Sequence, residues 1–454
     1  MAQGRTLLLA LLLANGQVMA NAEADGLQQG LQAYMANDFM GAQRIWLPLA
    51  EAGNAEARYR LGRLFFSQDY AESLRWLRMA AEQGHDSAQE MVGQILIRGL
   101  TSTSDPVEAI RWFHLAAKQG NALAQYNLAI CYLRGDGTDR NEKAAAYWAR
   151  KSAEQGDSDA QELLAELYAD GLGGRPDIKE ALSWRRKAAR QGNAVAALQL
   201  GHMYYTGRGV AQSPGKAFDW YRQAAGHGSA DAAFNLGLMY LMGSGTRRNP
   251  DEAKLWLQRA ASTGMDRAQL RLGMLHEHGE GVPRDDAQAF RWYLLAAEQG
   301  NAEAQFHVGR FLEYGRAGGR DLQQAMHWYG LSAAQGHRPA EVQRNSLQLA
   351  RSTGASREDA RVINDYSGLI MRKVKAHWRP GLKTSSAHAV EVRITLLPGG
   401  EVASAVVTGS SGSPELDAEV LGAIRLASPL PVPEQAELFR KHFRVFVARF
   451  LAED

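Results

Sequence analysis

The sequence predicts a mostly α-helical protein, in which a solenoid of helical repeats precedes a small α+β domain. Two observations indicate this fold class. Eight of the ten tryptophans stand 36 residues apart, the mark of a tandem array of one structural unit. Near the C-terminus the apolar residues change to the two-residue period of a β-strand. We predict that the phased tryptophans form the structural core of the repeats: Trp76, Trp112, Trp148, Trp184, Trp220, Trp256, Trp292 and Trp328.

The N-terminal residues 1–22 have the pattern of a secretory signal peptide. Arg5 supplies a positive charge, Leu7–Ala14 is an unbroken apolar run, and small residues suited to cleavage follow at Ala20 and Ala22. A membrane anchor is the alternative, but a span needs about 20 apolar residues and this run is much shorter. The pattern therefore predicts an exported, periplasmic chain whose signal is cleaved, with no transmembrane segment afterwards.

Composition narrows the classes of function and of site. The formal net charge is +2, which is close to neutral for 454 residues, so we expect no nucleic-acid partner. Cys131 is the single cysteine and cannot form an internal disulfide. It lies in an apolar helical stretch, which favours a small core residue over a reactive thiol.

Each repeat unit predicts two helices, one on either side of a recurring glycine such as Gly192. Eleven residues before it stands Ala181, followed at helical spacing by Trp184 and two small residues, which together make one helix face. After the glycine, an alanine four positions on and an aliphatic residue eight positions on predict the second helix. A glycine often stands nine positions on, as Gly201 does, although it costs about 1 kcal/mol of helix stability relative to alanine. Its recurrence predicts that a partner helix crosses too close for a Cβ atom.

A Gly-x-Gly loop, such as Gly135-Asp136-Gly137, recurs between helices in several units. We expect its first glycine to end a helix in the left-handed conformation. A phosphate-binding loop is a poor interpretation, because no Gly-Lys-Ser/Thr follows and the motif recurs along the array.

This pattern resembles the Sel1-like repeat (SLR), a relative of the tetratricopeptide repeat, over residues 25–350. Two stretches carry the resemblance, AQYNLAICYLRGDGTDRNEKAAAYWARKSAEQG and AAFNLGLMYLMGSGTRRNPDEAKLWLQRAASTG. It implies a right-handed α-α superhelix with a concave inner surface. Residues 25–52 are a divergent first unit, and the next unit is five residues short. At the far end Arg344, Asn345 and Gln348 replace repeat positions, which predicts a terminal helix that no further unit covers.

The C-terminal region predicts the layout α-β-β-α-β, after a solenoid at 23–350 and a linker at 351–359. A basic amphipathic helix covers Ala360–Trp378. Strands are predicted at Ala389–Leu396 and Glu401–Thr408, on either side of a Pro-Gly turn.

The second half of this domain is predicted from its capping residues and prolines. Ser413 and Pro414 open a helix as N-cap and first-turn residue. Its predicted buried face consists of Leu416, Val420, Ile424 and Ala427. Three prolines end the helix, and Leu438–Phe450 is predicted as the final strand.

Residues 360–454 resemble the C-terminal domain shared by TolA and TonB. The stretches YSGLIMRKVKAHWRP, VRITLLPGGEVASAVVTGSSGSPELDAEVLGAI and ASPLPVPEQAELFRKHFRVFVARF carry the resemblance. In that family the last strand commonly lies at a sheet edge and accepts a partner strand, which places the docking edge at His442–Phe450. The candidate partner-binding residues are His442, Arg444, Phe446, Ala448 and Phe450. TolA and TonB also have an uncleaved membrane helix and a long rod, which we do not expect here, so the resemblance implies the binding module alone.

The sequence predicts no metal site, no cofactor and no enzymatic activity. His276-Glu277-His278 is the densest histidine cluster, but no third ligand joins it at helical spacing, and we interpret it as a solvated helix end. The loop at 136–141 mimics part of a calcium site but lacks the bidentate glutamate. No Gly-x-Ser-x-Gly motif is present.

One basic stretch could meet a membrane surface. Arg372, Lys373, Lys375 and Arg379 surround Trp378, a combination that could touch anionic lipid. A solvated helix face is the simpler interpretation, because basic residues on amphipathic helices commonly extend into water.

Two binding modules behind a signal peptide predict a non-enzymatic periplasmic scaffold. The solenoid would hold one partner on its concave surface, and the C-terminal domain would dock a periplasmic or outer-membrane protein by strand addition. The alternative is a scaffold of exopolysaccharide or cell-wall assembly machinery that binds glycan or an assembly complex, which exposed aromatic residues on the concave face would favour. A third hypothesis, an enzyme acting on cell-wall material, requires a cleft with converging titratable groups.

Overall fold

The computed structural model describes residues 23–101, 104–353, 357–378 and 389–451. These residues divide into two compact units, which meet in the chain at the bond between Asn249 and Pro250. The first unit consists of helices. The second combines helices with a small sheet. The predicted signal peptide at residues 1–22 lies outside the described residues.

Consecutive helices make up most of both units. Residues 23–35 form α1 and Phe39–Glu51 forms α2. The helices that carry the phased tryptophans are α4 (Tyr70–Ala81), α6 (Pro106–Lys118), α8 (Glu142–Glu154), α10 (Ile178–Arg190), α12 (Pro214–Gly226), α14 (Pro250–Ser262), α16 (Asp286–Glu298) and α18 (Leu322–Ala334). The helices between them are α3 (Ala55–Phe65), α5 (Asp86–Arg98), α7 (Ala122–Arg134), α9 (Ser158–Asp170), α11 (Ala194–Thr206), α13 (Ala230–Met242), α15 (Asp266–His278), α17 (Ala302–Tyr314) and α19 (Arg338–Thr353). The predicted repeat solenoid is confirmed.

Short polar side chains and glycines set the helix ends. Asn121 opens α7, because its side-chain oxygen accepts a hydrogen bond from the backbone N–H of Ala124 at 2.9 Å. Gly135 ends the same helix with a φ of 81°, in the left-handed region that favours glycine. The predicted left-handed cap is therefore confirmed, and it recurs at the ends of α9 and α11.

The phased tryptophans border the core more than they fill it. Trp76 is buried at 4% exposure, whereas the other seven are partly buried. The large buried side chain comes one position later, as in Phe113, Tyr293 and Tyr329. Successive helix residues differ by about 100° around the axis, so the tryptophan lies between this core position and solvent. The expectation that all eight tryptophans are core residues was thus too broad.

The glycines inside the second helices lie against these buried rings. A Cβ atom at Gly273 would stand 2.5 Å from two ring carbons of Tyr293, and one at Gly309 would stand 2.7 Å from the ring of Tyr329. Such distances are shorter than any relaxed Cβ contact, so glycine is required there. The predicted close approach is confirmed, and the approaching group is the aromatic ring of the next helix.

Buried glutamines link neighbouring helices at the turns. The Gln89 side chain donates to the Ala81 carbonyl at 3.0 Å and accepts from the Gln119 side chain at 2.8 Å. The same arrangement recurs at Gln125 with Gln155, Gln161 with Gln191, Gln269 with Gln299, and Gln305 with Gln335. These bonds satisfy carbonyl groups at helix ends that have no partner within their own helix.

A long helix covers the end of the repeat array. This helix, α20 (Arg357–His377), packs against α19, and Leu347 of α19 is buried. The expectation that no further element covers the last repeat helix is therefore wrong, because the C-terminal domain supplies one. Most of the predicted linker is helical where it is described, since α19 runs to Thr353 and α20 begins at Arg357.

The C-terminal sheet has three antiparallel strands. They are β1 (Ala389–Leu396), β2 (Val402–Gly409) and β3 (Val445–Leu451), in the spatial order β2-β1-β3. The helix α21 (Pro414–Leu426) and α20 contribute to one core with the inward face of β1, where Val390, Val392 and Ile394 are fully buried. The predicted α-β-β-α-β layout is confirmed.

The final strand is shorter than predicted. Ala436–Leu438 forms the short helix α22, and Phe439–Phe443 continues as a π-helical turn. Phe439 and Phe443 are both buried at a spacing of four residues, which is a helical spacing. The alternation of a strand begins only at Val445, so the prediction of a strand over Leu438–Phe450 was wrong in its first half.

Candidate partner-binding surfaces

The strand β3 lies at an edge of the C-terminal sheet. It pairs with β1 from Thr395 opposite Val445 to Ala389 opposite Leu451. Among the described residues, no strand pairs with its other edge. A row of backbone N–H and C=O groups on that side is therefore available to a further strand.

The alternation of an antiparallel ladder identifies the outward backbone groups. The N–H of Leu396 donates to the carbonyl of Arg444 at 2.8 Å, so every second residue from Arg444 bonds to β1. The outward groups consequently belong to Val445, Val447 and Arg449, whose side chains are also exposed.

The predicted partner-binding residues of β3 alternate with these outward-facing residues. Phe446, Ala448 and Phe450 direct their backbone groups to β1 and their side chains toward the core, where Phe450 is fully buried. His442 lies in the π-helical turn and Arg444 immediately before the strand. The structure thus keeps the edge strand as the candidate surface but assigns its presented groups to the alternate residues.

An apolar cavity adjoins the start of this edge strand. Its volume is about 480 Å³, and its walls include Leu397, Phe439 and the residue that precedes β3, Arg444. Val445 and Val447, which follow Arg444 along the strand, are more than half exposed. An extended segment that bonds to β3 would therefore find an apolar site for a side chain at one end.

A groove of mixed charge lies between α9 and α11 in the first unit. Its volume is about 570 Å³. At its base the Arg185 side-chain Nε donates to both carboxylate oxygens of Glu162, at 2.9 and 3.1 Å. Burial raises the pKa of the Glu162 carboxyl to about 7, against the attraction of Arg185. Glu166 and Asp170 continue the same face of α9 and are exposed, so this wall of the groove is acidic, whereas the exposed Arg208 adds a positive charge to the lining.

A buried carboxylate connects three helices in the second unit. Glu277 accepts hydrogen bonds from the Tyr293 hydroxyl at 2.7 Å and from the Arg316 guanidinium. His307 Nδ1 lies 3.4 Å away without a directed hydrogen bond. Arg316 also binds both carboxylate oxygens of Asp286, at 3.0 and 2.8 Å. Burial alone would raise the pKa of Glu277, but its contacts with His307, Tyr293 and Arg316 hold that pKa well below the usual range.

This arrangement changes the interpretation of the histidine cluster. The central residue, Glu277, is buried, so the prediction of a solvated helix end is wrong for it, whereas His278 is exposed. In the described part of the chain, no group of three or more His, Cys, Asp or Glu side chains is placed to hold a metal ion. In the calcium-like loop, Asn141 caps α8 by accepting from the backbone N–H of Ala144.

The lone thiol is buried, and one residue of the basic helix, Lys373, makes a contact within the C-terminal domain. Cys131 is buried in a repeat core, and burial raises the pKa of its thiol to about 11, which disfavours the reactive thiolate. Lys373 donates to the carbonyl of Pro429 at 2.6 Å, a contact within the C-terminal domain. Arg379 lies outside the described residues.

Eight consecutive segments match the Sel1 repeat family. They are residues 55–85, 86–121, 122–157, 158–193, 194–229, 230–264, 266–301 and 302–337. Together they make up more than half of the sequence.

The chain belongs to the Sel1-repeat family.

Two solved structures resemble this Sel1-repeat protein. One is a protective antigen present in uropathogenic Escherichia coli strains, which displays an SLR fold: it is 29% identical, with a TM-score of 0.62 over 73% of this chain and 74% of that chain. The other is a Sel1 repeat protein from Oxalobacter formigenes: it is 31% identical, with a TM-score of 0.52 over 70% of this chain and 91% of that chain. No curated protein matches the sequence.

The C-terminal domain of the Sel1-repeat protein has its own family match. Residues 363–446 match the TonB C-terminal family, which confirms the predicted resemblance. Sel1 repeats and TonB-type domains both indicate interaction with other proteins. Over the residues described, no helix is long and apolar enough to cross a bilayer.

Sequence reasoning missed two features of the repeats. The paired glutamines recur at fixed distances from the repeat glycine, and that recurrence was a signal for them. The Glu162–Arg185 pair had a weaker signal, since Arg185 occupies the position that holds leucine or an aromatic residue in most units.

Proposed function

We propose that this Sel1-repeat protein is a non-enzymatic scaffold of the periplasm. One partner binds to its repeats, and a periplasmic or outer-membrane protein docks on its C-terminal domain by adding a strand to β3. Sel1-repeat proteins are generally non-catalytic scaffolds, and Sel1 repeats and TonB-type domains are typical of envelope proteins. The observation that carries the proposal is the unpaired edge of β3.

The chemistry of this edge suits an extended peptide segment. Main-chain hydrogen bonds to Val445, Val447 and Arg449 would supply affinity, and a side chain in the adjoining 480 Å³ cavity would supply specificity. The cavity rim carries Arg440 and Arg444 against a single carboxylate, Glu434. The preferred segment is therefore apolar with acidic neighbours.

The groove between α9 and α11 has one acidic wall, although Arg185 and Arg208 also line it. Glu166 and Asp170 line the groove between α9 and α11, and Glu162 lies at its base. A segment with lysine or arginine side chains is the complementary partner for this wall, because opposite potentials across an interface favour association. The two surfaces therefore select different partners.

Proline substitution tests docking at β3 without removing the domain. Val447→Pro deletes an N–H that faces the open edge and leaves the ladder to β1 intact. Ala405→Pro is the matched control: its ladder partner Ile394 bonds to β3, so the N–H of Ala405 faces the open edge of β2. We expect Val447→Pro to lose envelope proteins that co-purify with the wild-type chain, and Ala405→Pro to retain them.

Circular dichroism of both variants would establish that the sheet is still folded. If folded Val447→Pro retained the full set of co-purifying proteins, strand addition at β3 would be excluded as the docking mode. Loss of the same proteins from both variants would show that a general weakening of the sheet, and not the β3 edge, is responsible.

Export is tested by cell fractionation and by sequencing the N-terminus of the mature chain. We expect the chain in the periplasmic fraction, beginning immediately after Ala20 or Ala22. An unprocessed chain that begins at Met1 and fractionates with the cytoplasm would contradict the periplasmic assignment, whatever the outcome of the docking experiment.

A further inference from the structure

The groove between α9 and α11 has the length of a short peptide segment. Its α11 wall extends from Val195 to Thr206, a distance of about 16 Å along the helix, since a helix rises about 1.5 Å per residue. Five residues of an extended peptide cover the same distance, at about 3.3 Å each. A segment of about this size can therefore lie along the whole groove.

A buried ion pair forms the base of the groove. Arg185 of α10 and Glu162 of α9 are each 8% exposed, and both line the groove. The other units with a phased tryptophan carry an uncharged residue where Arg185 stands, such as Leu77, Phe113 or Tyr221. A buried ion pair seldom stabilises a fold more than apolar side chains of similar size do. Its presence in this unit therefore indicates a role in binding more than one in packing.

One nitrogen of the Arg185 guanidinium is open to a ligand. The Nε of Arg185 donates to both carboxylate oxygens of Glu162, and its Nη1 donates to the sulfur of Met203 at 3.6 Å. Among the described residues Nη2 has no hydrogen-bond partner, yet the protein does not seal this atom from solvent. A molecule in the groove can therefore supply the acceptor that Nη2 lacks.

The charged side chains of the groove leave one negative charge in excess. Three carboxylates face two guanidiniums: Glu162, Glu166 and Asp170 against Arg185 and Arg208. Because Glu162 is paired with Arg185 at the base, the excess lies on the exposed part of the α9 wall. One cationic side chain is the complement of this wall.

On the basis of the proposed binding of a partner to the repeats, we infer that the groove holds an extended peptide segment with one lysine or arginine. A backbone carbonyl of the segment accepts a hydrogen bond from Nη2 of Arg185. The basic side chain lies against Glu166 and Asp170. The buried guanidinium thus recognises the main chain of the partner, and the acidic wall selects the side chain.

The test uses the purified chain and three blocked pentapeptides, in which lysine, norleucine or glutamate stands between pairs of alanines. At pH 8 Glu162 is ionised, because its pKa is about 7, and His202 of the groove is neutral, because burial lowers its pKa. In saturation-transfer difference NMR we expect the lysine peptide to bind with a Kd in the millimolar range. The other two peptides should bind about tenfold more weakly or less.

Three variants separate the two contacts. Arg185→Lys keeps a positive charge opposite Glu162 but removes Nη2, and it should weaken binding of the lysine peptide about tenfold, the effect of losing a hydrogen bond from a charged donor. Glu166→Gln should narrow the difference between the lysine and norleucine peptides. The double variant Glu162→Leu/Arg185→Leu has an uncharged base, as other repeats have, and should lose binding while its circular dichroism spectrum stays that of the wild type.

Glu154→Gln is the matched control, because Glu154 is an exposed glutamate of α8 that does not line the groove. It should bind all three peptides as the wild type does. The inference is overturned if the lysine peptide does not bind, if the three peptides bind equally, or if Glu154→Gln and Glu166→Gln have equal effects.

Unchanged binding of the lysine peptide to folded Arg185→Lys and to the folded double variant would place peptide recognition elsewhere on the repeats. That result would overturn the assignment of the groove and leave the proposed scaffold function standing. Strand addition at β3 is tested separately by the proline variants, so the two proposals can fail independently.

Discussion

At the scale of single residues, two facing positions of the repeats are matched in size. The first is the residue that follows the phased tryptophan, and the second is the residue nine positions after the repeat glycine, on the preceding helix. Where a large ring is buried, as at Tyr293, the facing position is a glycine, Gly273. Where the first position holds the small Ala149, the other holds Ala129 in place of glycine. Protein interiors are close-packed, so a change of one methyl group at either position is felt.

A single methyl group added at Gly273 should destabilise the protein. We expect Gly273→Ala to lower the free energy of unfolding by about 1–3 kcal/mol, because its Cβ would overlap the Tyr293 ring. Gly330→Ala is the control within α18: the nearest atom to its Cβ is the flexible Arg344 side chain at 3.9 Å, and alanine favours the helix. Urea unfolding of both variants checks the prediction, which fails if Gly273→Ala is as stable as Gly330→Ala.

These residue-scale features could be predicted only in part. The recurrence of glycine at one position predicted a close approach, and that was correct. The buried residue beside each tryptophan was overlooked because its identity varies, from Leu77 and Phe113 to Ala149 and Arg185. A fixed tryptophan is easier to see in a sequence than a variable neighbour, although the neighbour is the more buried of the two.

At the scale of secondary-structure elements, buried charges connect helices within the repeats. Glu277 at the end of α15 bonds to Tyr293 of α16 and to Arg316, which follows α17. Arg316 returns to Asp286 at the start of α16. One carboxylate thereby connects two successive repeats.

This network predicts that the contribution of Glu277 to the free energy of unfolding depends on pH. The pKa of Glu277 lies below the usual value of about 4.5, so its ionised form stabilises the fold above that pH, and the term is lost as pH falls further. We expect Glu277→Gln to lower the free energy of unfolding by about 3 kcal/mol at pH 7 and by much less near pH 3. Guanidinium unfolding of wild type and variant at several pH values measures the gap. A gap independent of pH would contradict this assignment.

The Glu162–Arg185 pair predicts that a single substitution lowers the stability of the protein more than a double substitution does. Arg185→Leu alone leaves Glu162 buried without its partner, and we expect a loss of about 3–5 kcal/mol. The double variant Glu162→Leu/Arg185→Leu should recover most of that loss, because other repeats carry Leu198 and Leu77 at the same two positions. Thermal unfolding of both variants tests this, and a double variant no more stable than Arg185→Leu would refute it.

At the scale of the second unit, the C-terminal domain and the last repeats depend on each other. Leu349 of α19 packs against the core that α20, α21 and the sheet form together, and α20 packs along α19. In repeat proteins each unit is stabilised by its neighbours. Deleting the C-terminal domain would therefore do more than remove a docking site.

A chain that ends at Thr353, the last residue of α19, should show this dependence. We expect its amide hydrogens in α18 and α19 to exchange faster with deuterium than in the full-length chain, because the covering helix is gone. Peptides from α5 and α7, far along the array, serve as the internal control and should be unchanged. If exchange in α19 stayed at the full-length rate, the covering role of α20 would be wrong.

Most of the architecture was predictable from the sequence, because the 36-residue period and the strand alternation are strong local signals. The start of the edge strand, and therefore its phase, was not predictable. Phe439 and Phe443 could be buried in a helix or in a strand, and only packing decides between the two. The groove beside Glu162 was also hidden, because its residues come from α9, α10 and α11 and no local pattern brings them together.

The pairing of Gly273 with Tyr293 has a consequence for how such arrays change length. Both residues fall inside one matched segment, 266–301, as Gly309 and Tyr329 fall inside 302–337. Copying or removing a whole segment keeps each glycine with the ring it accommodates, whereas recombination between the two helices of a segment would separate them. Chimaeras of this protein should therefore exchange complete segments, with their junctions placed where one matched segment ends and the next begins.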